Sequence, residues 1–177
     1  GEGVGRTAFA VSGDAVELTG PDAELKQQAV ALYAAFVKDQ VERLVPAVDE
    51  FVTAYESSDD AKAKELFPQV RAYYERIEPI AESLGDLDPR IDFREVDAVA
   101  DGIDWTGFHR IEKDLWQPAA DALNSDGVTP ASQDWTPSTP AERAAFGDQL
   151  ITDIAELDAY VHSDDFQAAL DDQGVAG

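Results

Sequence analysis

The sequence predicts an all-α four-helix bundle, and three observations carry that expectation. From Pro21 onward, apolar residues recur at three- and four-residue steps through most of the chain. The recurrences are punctuated by helix-boundary chemistry: a Ser57-Ser58-Asp59-Asp60 cluster, Gly85, and a Thr139-Pro140 start. At 177 residues and 44% hydrophobic, the chain is long and apolar enough to bury one core, most simply as one domain.

Residues 1–20 stand apart. Thr7–Val11 and Ala15–Thr19 are short β-prone runs divided by the turn signal Ser12-Gly13-Asp14. Two strands alone are marginal in water, so this piece reads as the edge of something else. The first helix is predicted from about Asp22 to Glu56 with a kink at Pro46. Its stripe is Leu25, Ala29, Leu32, Phe36, Val41, Leu44, Val48, Phe51 and Tyr55, with one five-residue gap. A second helix follows to about Leu84, carrying Leu66, Val70, Tyr73 or Tyr74, Ile77 and Ala81, with bends or a break at Pro68 and Pro79. Residues 85–104 read as an irregular Asp-rich loop. A third helix is expected from about Trp105 to Asn124, interrupted near Pro118, and 125–138 as a loop. The fourth has the clearest start: Thr139 as N-cap, Pro140 at the first helical position and Glu142 closing a capping box. It continues through Phe146, Leu150, Ile154, Leu157 and Val161, and a short helix is expected around Phe166–Leu170.

Thirteen basic against 37 acidic residues leave a formal charge of −24, which argues against nucleic acid as a partner and disfavours an anionic membrane surface. A cationic ligand fits better, because an acidic surface concentrates cations. With no cysteine there is no disulfide, thiolate metal site or cysteine nucleophile. No run approaches the roughly 18 apolar residues of a membrane span, and no signal peptide is present. The chain starts at glycine and has no methionine, so it is expected to be a processed or trimmed fragment, any targeting signal lying in the part removed.

Gly107-Phe108-His109-Arg110-Ile111-Glu112 places one of only two histidines three residues before a glutamate. On a helix these share a face, so an imidazole nitrogen and a carboxylate oxygen would point at a common spot. Glu75 and Glu78 repeat the spacing upstream. Three carboxylates and one imidazole suit iron, manganese or zinc. The competing structural reading pairs Glu75 and Glu78 with Arg71 and Arg76 and makes His109 a core residue. Asp153 and Glu156 on the fourth helix, or one of Asp86, Asp88, Asp92, Glu95 and Asp97, could add a ligand, though solvated carboxylates are the default. His162, at a helix C-terminus, fits a structural role. Hydrolytic motifs such as His-Glu-x-x-His and Gly-x-Ser-x-Gly are absent. Ferritin-type di-iron bundles need Glu-x-x-His on two helices, whereas here the order is reversed and occurs once.

Three blocks in order, Tyr74–Glu82, Gly85–Asp92 and Trp105–Glu112, closely resemble the imelysin-like family, and within it the extracytoplasmic component of a bacterial iron-uptake system. The family's Gly-x-His-x-x-Glu signature is met by Gly107, His109 and Glu112. The resemblance implies an iron-binding protein outside the cytoplasmic membrane, lipid-anchored in its full-length form, which hands iron to a membrane permease and has no catalysis of its own. It implies a metal site at Glu75, Glu78, Asp92, His109 and Glu112, Asp92 entering on this ground alone. Iron would bind as Fe³⁺ or Fe²⁺, with zinc the alternative ion. Residues 1–20 would be remnant strands of a cupredoxin-like domain or a linker. Residues 21–177 would be an imelysin-like bundle truncated at its C-terminus, with an apolar face left for a second helical bundle or a partner chain. The alternative is a metal-dependent peptidase at the same site, with Glu112 or Glu78 as general base.

Overall fold

The computed structural model describes residues 19–119, 121–123, 127–130 and 135–173. The β-prone runs before Leu18, and Asn124 at the expected end of the third helix, lie outside them. The helices are α1 (Pro21–Glu56), α2 (Asp60–Glu75), a 3₁₀ segment (Glu78–Leu84), α3 (Leu87–Asp92), α4 (Glu95–Asp101), α5 (Gly107–Leu115), α6 (Pro140–Val161) and α7 (Asp164–Gln173). No strand occurs among the described residues, and the all-α class expected from the sequence is what is found.

α1 is the axis of the molecule. Its buried stripe is Val30, Ala34, Val37, Val41, Leu44, Val48, Phe51 and Tyr55, an unbroken alternation of four- and three-residue steps that suits packing along a bundle. The expected stripe is therefore right from Val41 onward and wrong before it. Leu25, Leu32 and Phe36 are exposed, because a second apolar row runs beside the true one and only the packing partner chooses between them. The five-residue gap between Phe36 and Val41 marks the crossing from one row to the other. Pro46 sits inside a helix that continues without interruption to Glu56.

The tight Ser57–Asp59 turn sends α2 back along α1, with the Asp59 side chain capping the Lys62 N–H at 3.1 Å. Tyr74, rather than Tyr73, fills the core. α6 returns along the other flank of α1. Arg143 near its start donates to the Tyr55 carbonyl (3.1 Å) and to Asp60 (2.6 Å) at the far end of α1. α6 begins with the expected capping box: the Glu142 N–H donates to Thr139 (3.3 Å) and the Thr139 N–H to Glu142 (2.8 Å). Gly147 permits the close approach, since a Cβ there would overlap Glu56 and Val52 of α1. α5 packs against both α2 and α6 and closes the ring of four.

Three expectations need correction. The second helix does not run to Leu84: α2 ends at Glu75, and Pro79, which has no N–H to donate, follows in a 3₁₀ turn. Residues 85–104 are not irregular but form α3 and α4, both too short to show a period in sequence. The third helix begins at Gly107 and ends at Leu115, well before Pro118.

α5 is fixed from two sides. On its inner face Asp114, almost fully buried, accepts from the Tyr55 hydroxyl at 2.5 Å and the Ser138 N–H at 3.2 Å, with Arg110 3.2 Å away. At its start the chain clasps the end of α3: Trp105 Nε1 donates to the Phe93 carbonyl (2.7 Å) and Thr106 Oγ1 to the Arg90 carbonyl (2.8 Å). Gly107 then lies against the Ile91 carbonyl at φ +81°, where any Cβ would overlap the Ile91 and Arg90 carbonyls. Gly107→Ala combines left-handed strain with backbone overlap and is expected to cost about 2–5 kcal/mol; denaturant unfolding of parent and variant measures it, and a cost within error would refute this account of the glycine. Burial alone would raise the Asp114 carboxyl, but hydrogen bonds from Tyr55 and Ser138 and the Arg110 charge outweigh it and hold the group below its ordinary range. Its stabilising contribution is therefore complete above the unfolded value and is lost as pH falls towards the depressed folded one. Asp114→Asn should be less stable at neutral pH and lose less of its melting temperature on acidification than the parent.

Candidate metal centre

The α3–α5 clasp decides where the chemistry-bearing side chains meet. Asp92 is the last residue of α3 and follows Ile91, on whose carbonyl Gly107 rests; His109 lies two residues beyond that glycine on α5. His109 Nε2 consequently stands 3.5 Å from Asp92 Oδ1, and His109 Nδ1 stands 2.9 Å from Glu112 Oε2. With the proton on Nδ1, the ring donates to Glu112 and turns its Nε2 lone pair towards Asp92, the arrangement by which a carboxylate orients an imidazole for a metal. A first-row ion with bonds of roughly 2.1 Å would hold two tetrahedral ligands roughly 3.4 Å apart. The gap between Nε2 and Oδ1 is close to that edge, although Oδ1 is at present also bound by Arg71.

The remaining carboxylates are arranged otherwise than the sequence suggested. His109 and Glu112 do share a helix face, but their side chains bond each other instead of aiming at a common point. Among the described residues, no three His, Asp or Glu side chains are gathered in a group ready to hold an ion. Glu75 and Glu78 do not share a helix face, because the turn at Arg76–Ile77 separates the end of α2 from the 3₁₀ segment. Glu78 is exposed and pairs with none of these groups.

Arg71 supplies what sequence reasoning did not foresee. Its pairing with Glu75, four residues on, was legible; its reach across to α3 was not. The guanidinium makes a fork with both Asp92 oxygens, the Nη2–Oδ2 contact at 2.9 Å, and Nη2 also contacts Glu75 Oε1. It lies over the Phe108 ring, 5.0 Å from the centroid, and is only 12% exposed. Burial works to lower the Arg71 pKa, but Asp92 and Glu75 outweigh it and keep the group cationic. Burial pushes the Asp92 carboxyl above its usual range, and the opposing pull of Arg71 and His109 does not cancel this. Beneath the cluster, Tyr74 donates to Asp88 at 2.6 Å, tying α2 to α3.

Of the other acidic candidates, Asp153, Glu156, Glu95 and Asp97 have structural partners. Arg90 binds Glu156 at 2.5 Å and lies 3.4 Å from buried Asp153, joining α3 to α6. Asp153 also accepts from Gln149 at 3.0 Å, and burial raises its carboxyl above the ordinary range. Glu95 pairs with Lys113 at 2.6 Å and Asp97 with Arg94 at 2.7 Å. His162 caps the end of α6, its ring nitrogen 2.8 Å from the Asp158 carbonyl.

Residues 29–176, which include every residue of this cluster, match the imelysin family (Peptidase_M75). An Efem/EfeO family lipoprotein of Staphylococcus haemolyticus (strain JCSC1435) is 38% identical over 150 residues, 84% of this chain and 46% of that protein. Efem/EfeO family lipoproteins of Staphylococcus aureus strains USA300 and COL are 45% identical over 100 residues, 55% of this chain and 35% of theirs. The chain thus spans less than half the length of these relatives. With the family match running through α1 to α7 and across both sides of the Asp92–His109 gap, the chain belongs to the imelysin family.

Proposed function

We propose that this chain is the iron-binding bundle of an extracytoplasmic iron-uptake protein, which captures Fe³⁺ or Fe²⁺ and passes it to a membrane permease. The observation that carries the reading is the His109–Asp92 gap, sized for a metal and oriented by Glu112. Asp92 and His109 form the fixed edge of the site, since both ride on the clasped α3–α5 junction. Glu75, Glu78 and Glu112 are exposed enough to change rotamer and complete the shell around an ion. Carboxylates and imidazole together suit iron, with zinc as a second ion. The formal charge of −24 favours approach of any cation.

The lipoprotein name carried by the relatives supports a location outside the cytoplasmic membrane with a lipid anchor. No helix among the described residues is long and apolar enough to cross a membrane, which accords with an anchored domain that does not span the bilayer in this region. The exposed row of Leu25, Leu32 and Phe36 is the face we assign to a second helical bundle or a partner chain. A peptidase at the same site would need a carboxylate positioned to take a proton from metal-bound water. Glu112 or Glu78 could be recruited to that role as readily as to the shell, so the preference for binding rests on the relatives, whose Efem/EfeO lipoprotein name favours uptake.

Replacing both His109 and Glu112 by Ala should weaken iron binding tenfold to a hundredfold or more in calorimetric titration; unchanged affinity would refute the assignment. Protons compete with the ion for the same lone pairs. Affinity for Fe²⁺ should therefore fall as pH is lowered. Because burial raises the Asp92 carboxyl, Asp92→Asn should move the onset of that fall as well as weaken binding. A titration series across pH with parent and Asp92→Asn checks this, and identical affinities and profiles would count against Asp92 as a ligand.

A further inference from the structure

Arg71 is a fixed positive charge inside a site read as a cation's. It touches two of the proposed ligands, Glu75 and Asp92, through one guanidinium, and the Phe108 face and its near-complete burial leave it little freedom to move. Resting on the metal reading above, we propose that Arg71 is a built-in competing cation, which holds Glu75 and Asp92 when no ion is bound and lowers the affinity for the ion when it enters.

The chemistry admits two opposite roles for such a residue. A guanidinium that merely orients Asp92 would strengthen binding, an effect typically worth tenfold to a hundredfold. A guanidinium within a few ångströms of a divalent or trivalent ion also repels it, in surroundings that screen less than water. Three features favour repulsion. The backbone that carries Asp92 needs no Arg71 to be in place, because it ends a helix already clasped by Trp105, Thr106 and Gly107. Nη2 is shared between two carboxylates, so Glu75 cannot turn fully to an ion while it keeps that contact. The charge cannot be removed by pH, since arginine stays protonated, so the competition persists wherever the site is loaded.

The test is Arg71→Gln and Arg71→Lys in the full chain, titrated with Zn²⁺ as a diamagnetic probe and with Fe²⁺, beside His109→Ala. Arg71→Gln should bind both ions at least tenfold more tightly while the metal-free protein melts at a lower temperature. A purely structural role would not produce that pair of opposite shifts. Arg71→Lys, which keeps the charge, should stay near the parent. Equal or weaker binding by Arg71→Gln would overturn the proposal. If that variant does not fold, NMR of the parent decides: Zn²⁺ should release the Arg71 guanidinium protons to faster exchange, and unchanged protection at saturation would overturn the inference. His109→Ala separates the two levels of argument. If it weakens binding while Arg71→Gln fails to tighten it, only the competing-cation role is lost. If His109→Ala leaves affinity unchanged, the metal reading fails and this inference goes with it.

Discussion

The contact on which the rest of the site depends is between two backbones. At Gly107 the chain lies so close to the Ile91 carbonyl that no side chain could intervene, and φ is positive, where glycine meets no penalty. Trp105 and Thr106 donate to the carbonyls around the end of α3, groups with no intrahelical partner. The start of one helix is thus built on the end of another. Asp92 and His109, each one or two residues from the contact, inherit a separation that side-chain flexibility alone would not hold. The glycine of the Gly-x-His-x-x-Glu signature therefore belongs to the site as fully as the histidine does, although it touches no ion.

Charge is the second constraint. In a chain this acidic the few cations are placed with purpose, and arginine dominates the inter-helix positions. Arg143 joins α6 to the α1–α2 turn, Arg90 joins α3 to α6 and Arg71 joins α2 to α3, while Arg110 pairs with Asp114 within α5. A planar fork can satisfy two acceptors at once and keeps its charge when dehydrated, which an ammonium does less well. Several lie over aromatic faces: Arg110 over Phe146 at 4.4 Å and Arg143 over Tyr55 at 4.8 Å. Removing one partner from such a pair leaves a half-buried charge unmatched, so these bridges specify which helix meets which more than they add net stability.

How much of this was legible in the sequence follows from the range over which each signal acts. The α6 capping box, the Asp59 cap and the buried face of α6 depend on residues within one or two turns, and they were read correctly. The apolar row of α1 was misread before Val41, because Leu25, Leu32 and Phe36 form a stripe as regular as Val30, Ala34 and Val37. Periodicity cannot say which stripe finds a partner. α3 and α4 were missed because helices of six and seven residues complete too few turns to display a period. Asp92 was singled out only by family resemblance, since its value comes from a clasp between residues about fifteen positions apart. Arg71 was visible as the partner of Glu75, but its second contact crosses to another helix, beyond any local rule.

These two constraints bear on why the carboxylates of the cluster are not already gathered. A protein that carries an ion must also release it. A rigid shell of four carboxylates and an imidazole, assembled in advance, would bind a trivalent ion with little reason to let go. The arrangement here divides the work. On the proposed reading, a fixed edge, Asp92 and His109, would give the ion a place to land. By the same reading, exposed glutamates on a helix end, a 3₁₀ turn and a short helix would close on it, and the Arg71 guanidinium would take back Glu75 and Asp92 when it leaves. Two of these carboxylates would have to break a contact they already have, Glu75 with Arg71 and Glu112 with His109, so the free energy of binding would be reduced by those exchanges. On that reading the affinity would depend on the metal-free network as much as on the ligand set.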